Sequence, residues 1–242
     1  MDTEKRIVAV MLTITMVSML SVNGILAPSQ SYAQIVVSKS RSPINLAPPQ
    51  GQQATSHPSV PSSSSTVSAI SAHWARWVVQ IPAPLNPILD STGAHCAQNQ
   101  VSNGNFWFLV GDFGGTAIRQ CTIPNGKFIF FPVLNVIVTE QATISQDQSL
   151  AKQIADTITS AQASVDNVPL SSSNVIRAQS PPFGFVAPQD EILGDPPGPG
   201  TGVTDGFWVL LQPLSVGQHV IHFAGQTSDG FQLDVTYHIS VQ

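Results

Sequence analysis

Cys96 and Cys121 are the only cysteines in this 242-residue sequence, and they have two chemistries open to them. One is a disulfide, the usual fate of a cysteine pair in an exported chain, and the N-terminus carries an export signal. Closing a loop of this length stabilises a fold by roughly 3 kcal/mol in the chain-entropy model. The other is a copper site on a thiolate, with His95 beside Cys96. Such a site takes two His, one Cys and a weak axial Met, yet all four methionines (Met1, Met11, Met16, Met19) lie in the leader. The disulfide is the expectation.

The carboxylates offer two further chemistries. Asp90, Asp112, Asp190 and Asp205 supply a glycosidase pair if two of them meet in one cleft about 5 to 10 Å apart. Asp190, Glu191, Asp195 and Asp205 cluster in a Pro/Gly-rich stretch. Oxygen ligands on a loop suit Ca2+, although the spacing matches no EF-hand pattern. The bland reading is a solvated acidic loop. Arg119 and Lys127 sit beside the cysteines in a charge-poor chain; they either pair with Asp90 or Asp112 or line a site for an anionic group.

The histidines point less clearly to a site. His219 and His222 fall on opposite faces of one strand and cannot chelate a single ion together. Alternation with Ile221 and Phe223 turns His219 inward as a hydrogen-bonded core histidine and turns His222 and His238 to solvent. The sequence contains neither Gly-x-Ser-x-Gly nor His-Glu-x-x-His, so two common hydrolytic signatures are missing. Gly111, Gly114 and Gly115 read as a turn rather than a phosphate loop, since no helix follows to offer its N-terminus.

These residues need elements to position them. Ser71 is a plausible cap for a short helix with Trp74, Trp77 and Val78 on one buried face. Phe106–Val110, Thr116–Ile123 and Lys127–Val133, separated by glycine-rich and Pro124-Asn125-Gly126 turns, look like a three-stranded meander. A long helix is expected over Asp147–Val165 from the stripe Leu150, Ile154, Ile158, Ala161 and Val165, with Ser145-x-x-Gln148 as a capping box. Strand signals return at Phe207–Leu211 and His219–Phe223. The segment from Phe231 to Val241 alternates strictly between apolar and polar residues, as a strand with one buried and one wet face does. The expected fold is mainly β, a β-sandwich of immunoglobulin-like or jelly-roll-like type with one inserted α-helix. A helix packed on an open antiparallel sheet is the alternative.

The chain ends and composition set the compartment. Lys5 and Arg6, an apolar run from Ile7 to Leu20, and Ser31-Tyr32-Ala33 have the order of a secretory signal peptide over 1–33, cut after Ala33. The alternative is a retained leader, because Ile7–Leu26 is long enough to span a bilayer. Residues 34–70, rich in Ser, Pro and Gln, read as a disordered linker, and 71–242 as a single domain. Net charge is −5 with no basic cluster, which excludes nucleic acid and anionic membrane surfaces as partners beyond the leader itself. Charged residues make up only 10% of the chain, which suits a polar surface that lies against others. There is no Asn-x-Ser/Thr acceptor for N-glycosylation.

The motifs Asn86-Pro87-x-x-Asp90-x-Thr92-Gly93-x-x-Cys96, Phe106-Trp107-Phe108-Leu109-x-Gly111, Arg119-x-Cys121-x-x-Pro124-x-Gly126-Lys127 and Phe130-Phe131-Pro132 together resemble a group of secreted bacterial and archaeal proteins with no assigned activity. The likeness continues through Ser180-Pro181-Pro182-Phe183, Asp205-Gly206-Phe207-Trp208 and Pro213-Leu214-x-x-Gly217-x-His219. It implies export and a shared fold and transfers no catalytic residue. The closing segment Gly217–Val241 is also similar to the last hairpin of bacterial immunoglobulin-like domains. The resulting expectation is an exported cell-surface or extracellular domain with a non-catalytic binding or envelope-structural role. Its partner would be a surface component or a second copy. The alternatives are a secreted carboxylate-dependent hydrolase of polysaccharide and a Ca2+-stabilised structural module; otherwise no cofactor is expected.

Overall fold

In the computed structural model, residues 63–139 and 143–242 are described; the signal-peptide reading and the linker up to residue 62 lie outside them. Helix α1 (Ser64–Val79) is followed by strands β1 (Phe106–Phe108), β2 (Gly115–Ile123) and β3 (Phe128–Thr139), then helix α2 (Ile144–Ala155). Seven strands complete the chain: β4 (Ile158–Val165), β5 (Val168–Pro169), β6 (Ile176–Gln179), β7 (Phe183–Ala187), β8 (Gly198–Leu211), β9 (Gly217–Thr227) and β10 (Gln232–Val241). Among the described residues the protein is mainly β, with two five-stranded sheets and two α-helices.

One sheet runs β1-β3-β8-β6 with β7 also on β8; the other runs β2-β10-β9-β4-β5. Their facing sides share one core, in which Phe131 and Phe223 meet at 4.9 Å between ring centroids. The opposite side of the first sheet holds a second core under α1, where Trp74 packs edge-on against Trp208 at 5.3 Å. The order of layers is therefore helix, sheet, sheet. A strand in the middle layer must be apolar on both faces, and β3 is buried along almost its whole length.

That position also explains Pro132. The register of β3 against β8 shifts between Pro132 and Leu134, so Ile129, Phe131 and Val133 and then Leu134, Val136 and Val138 all enter the core between the sheets. An extra residue in one strand allows this change of parity, and a proline without an N–H is tolerated at such an irregularity. The strand does not stop at Val133 as expected; it runs on to Thr139.

The meander is corrected. Strand β1 pairs in parallel with β3, while β2 crosses to the other sheet and pairs in parallel with β10 over Leu233–Val241. The glycine and proline turns specify that the chain reverses, not which partner it meets. The separating signal is period: β2 alternates exposed and buried residues, as a one-faced strand does, whereas β3 is apolar throughout.

The helix expected over 147–165 is also corrected. Only Ile144–Ala155 is helical, capped by Thr143, whose hydroxyl accepts from the Gln146 N–H at 3.3 Å. The second half of the stripe, Ile158 to Val165, is β4, paired with β9. Thr157, Thr159, Ser160 and Ser164 disfavour a helix interior, and Ala163 and Val165 are buried at a spacing of two.

The folded domain starts before Ser71. Ser63 caps α1 through Thr66 at 3.2 Å, and Ser71 lies buried inside the helix with its hydroxyl donating to the Ser68 carbonyl at 2.9 Å. The expected face of Trp74, Trp77 and Val78 is buried. Among the described residues no helix is long and apolar enough to cross a membrane.

Candidate functional site

Arg119 is 1% exposed and lies on β2. Its guanidinium donates to the carbonyls of Asp90 (2.7 Å), Val110 (3.1 Å), Gly111 (2.6 Å) and Ile88 (3.1 Å), to the Asp112 carboxylate (3.0 Å) and to the Tyr237 hydroxyl (3.2 Å). All five N–H bonds are thus engaged within the fold, so none is left to receive an anion. Arg119 forms an ion pair with Asp112 and meets Asp90 only at its backbone carbonyl, which is not an ion pair. Tyr237 closes the cluster by donating to Val110 O at 3.0 Å; burial pushes its phenol up from its ordinary range.

The Asp90 side chain has a separate task. It accepts from Thr92 N (2.9 Å), Thr92 Oγ1 (2.7 Å) and His95 N (2.7 Å), forming a turn. Burial alone would raise its pKa, but these hydrogen bonds outweigh it and hold the group at about 2. The turn delivers Cys96 to Cys121, and the two are joined as a disulfide. Gly93 has φ +89°, and a Cβ there would stand 2.1 Å from the Gln120 carbonyl, so this close approach to β2 requires glycine. Lys127 donates to the carbonyls of Ser102 (2.7 Å) and Gly104. Asp90, Asp112, Arg119, Lys127 and the disulfide together fasten the segment between α1 and β3. They do not form an anion site.

The acidic stretch divides. Asp190 is exposed, whereas Asp205 is 2% exposed on β8 and holds Arg177 at 2.6 Å. Glu191 and Asp195 are buried together: Glu191 Oε2 accepts from Leu193 N and from Asp195 N at 3.2 Å, and Thr139 donates to Asp195 Oδ1 at 3.0 Å. Among the described residues no three Asp, Glu, His or Cys side chains converge as a metal group would require.

Burial, aided by the neighbouring Asp195, pushes Glu191 up to about 7 against the lowering effect of the loop amides. A carboxyl with its folded pKa above its unfolded value of 4.5 contributes its full stability below pH 4.5, and that contribution is lost as pH rises through 7. Glu191→Gln retains an acceptor for both amides without a charge. It is expected to raise Tm at pH 8, by an amount equivalent to roughly 3 kcal/mol at most, and to change it little at pH 4.5. Thermal melts of both chains at the two pH values read this directly.

The histidines follow their parity. His219 is half-buried against Asp166 at 2.8 Å, His222 meets Asp234 at 3.1 Å, and His238 is exposed.

What sequence reasoning missed is a groove of about 440 Å³ between α1, the loop 99–104 and β1. Its apolar lining includes Ile70, Trp77, Val101, Phe106 and Phe108. The walls are fixed by specific bonds. Trp77 donates its indole N–H to Gln98 O at 3.0 Å and packs on Phe108 at 5.4 Å. Gln100 clamps the free edge of β1, accepting from Phe108 N at 3.0 Å and donating to Phe108 O at 2.7 Å, which blocks that edge as another strand would. The available signal was the strand Phe106-Trp107-Phe108: Trp107 enters the core between the sheets, so both phenylalanines must face the helix side.

Comparison with known proteins adds little. No family model matches the chain, and no curated protein does. Among solved structures the solution structure of amebosin aligns with 52% of this chain and 96% of its own length, at 13% identity and a TM-score of 0.18.

Proposed function

We propose that this chain is an exported, non-catalytic binding protein working outside the cytoplasmic membrane, at the envelope or beyond it, and that the aromatic groove on α1 and β1 is its binding site. The carrying observation is the contrast between two sets of residues. Of the side chains that suggested chemistry from sequence, Asp90, Asp112, Arg119, Lys127 and Asp205 are engaged in internal bonds, while Asp190 is exposed. The groove has a size ordinary for a small-ligand pocket and walls already in place.

Export is supported by the leader over 1–33 and by a cysteine pair joined as a disulfide, which persists outside the reducing cytosol. The resemblance to secreted bacterial and archaeal proteins agrees with it. Many outward positions of the second sheet, including Thr116, Gln120, Gln218, Gln226 and Thr236, are polar and uncharged, interspersed with the exposed Ile118 and the half-buried Asp234, a surface suited to lying against an envelope component or a second copy. The purified full chain is expected to give no sustained turnover of polysaccharide, ester or peptide substrates. Turnover abolished by Asp90→Asn or Asp112→Asn would overturn the non-catalytic reading.

A further inference from the structure

We propose that the groove takes an amphiphile with an anionic head, its apolar chain lying on Phe106, Phe108, Trp77 and Ile70 and its head held by Arg76. This rests on the groove being a binding site, and it names the class of ligand.

The first argument is shape and lining. A concavity of about 440 Å³ with a mostly apolar wall favours a slender apolar group over a polar one. Because Trp77 and Gln100 are fixed by hydrogen bonds, little ordering is needed when a ligand enters.

The second argument is charge. Five cationic Lys or Arg side chains occur among the described residues: Arg76, Arg119, Lys127, Lys152 and Arg177. Four are engaged, Arg119 and Lys127 on carbonyls, Lys152 on Asp156 and Arg177 on Asp205. Arg76 makes no ion pair or hydrogen bond with the described residues, and it lines this groove. His73, one helical turn earlier, lines it too, and both are exposed. No carboxylate is among the lining residues.

The side-chain oxygens of the neutral amides on the wall are occupied. Gln100 is held by Phe108 and Cys96, Gln80 accepts from Val186 N at 3.0 Å, and Asn99 accepts from Gln98 at 3.1 Å. An apolar channel whose one uncommitted charged group is a guanidinium is complementary to an acyl carboxylate or a similar amphiphilic anion.

The test uses three probes with one alkyl chain, decanoate, decanol and decyltrimethylammonium, each below its micelle threshold. They are titrated into the full secreted chain while the Trp77 indole N–H resonance is followed. Decanoate is expected to shift that resonance and to bind roughly tenfold more tightly than decanol, the margin of a charge-assisted hydrogen bond; the ammonium probe should bind more weakly than either. Arg76→Gln should bring decanoate to the level of decanol and leave decanol unchanged. Equal binding of decanoate and decanol with a silent Arg76→Gln would overturn the anionic head while leaving the groove as a site. No shift at Trp77 with any probe would overturn the groove as an amphiphile site.

Discussion

Replacing Arg119 by methionine is expected to destabilise the domain by about 3–5 kcal/mol, because it removes the donor from a group of buried acceptors. The carbonyls of Ile88, Asp90 and Gly111 lose their side-chain partner together, Val110 keeps only the Tyr237 hydroxyl, and Asp112 loses its counter-ion. A typical domain has a total stability of about 5–15 kcal/mol, so the variant should populate its unfolded state far more readily. Urea denaturation followed by tryptophan fluorescence measures the change. Arg119→Lys should recover only part of it, since an ammonium offers three donors in place of a planar fork of five. A loss below about 1 kcal/mol in the methionine variant would mean that water replaces the guanidinium, and would reopen the site to an exogenous ligand.

The second large effect concerns the disulfide. Cys96 and Cys121 are separated by 25 residues, and reducing a loop of that length should cost roughly 3 kcal/mol through the freedom regained by the unfolded chain. The Cys96→Ser, Cys121→Ser double variant measures this without a reductant. Both the disulfide and Arg119 fasten the stretch from Ile88 to Cys96 onto β2, so their losses should not add. Once either fastening is gone the other holds a looser segment, and the combined variant should lose less than the sum. Strict additivity would show that the two act on separate units.

Much of the fold was legible because its signals are local and periodic. β10 reads directly from its alternation, and its hairpin with β9 follows. The buried face of α1 and the disulfide were equally plain. The two errors in β topology and helix length share a cause. Strand partners are chosen by long-range burial, which glycine turns at 111–115 and 124–126 do not encode, and in the second half of the stripe Ala161 and Val165 fit helical spacing while Ala161, Ala163 and Val165 also fit strand spacing. The short cap signal at Ser71 competed with an earlier one at Ser63, hidden in a serine run that otherwise reads as linker.

The site was less legible than the fold. Charged residues draw attention in a sequence, yet in this domain burial turns them into internal fastenings, and only three-dimensional proximity reveals that Arg119 faces four carbonyls. The groove is made of ordinary aromatics from α1 and β1, with a wall supplied by a loop of no recognisable motif. Arg76 looked unremarkable in sequence. It becomes informative only when the other described cations are seen to be engaged.

The most direct test of the account is a native mass spectrum of the protein recovered from its own host, cells and medium analysed separately. The account predicts a chain of Gln34–Gln242 less two hydrogens, outside the cytoplasm, with part of the population carrying a small organic adduct that departs under denaturing spray. A full-length reduced chain confined to the cytoplasm, or an adduct consisting of metal alone, would contradict it.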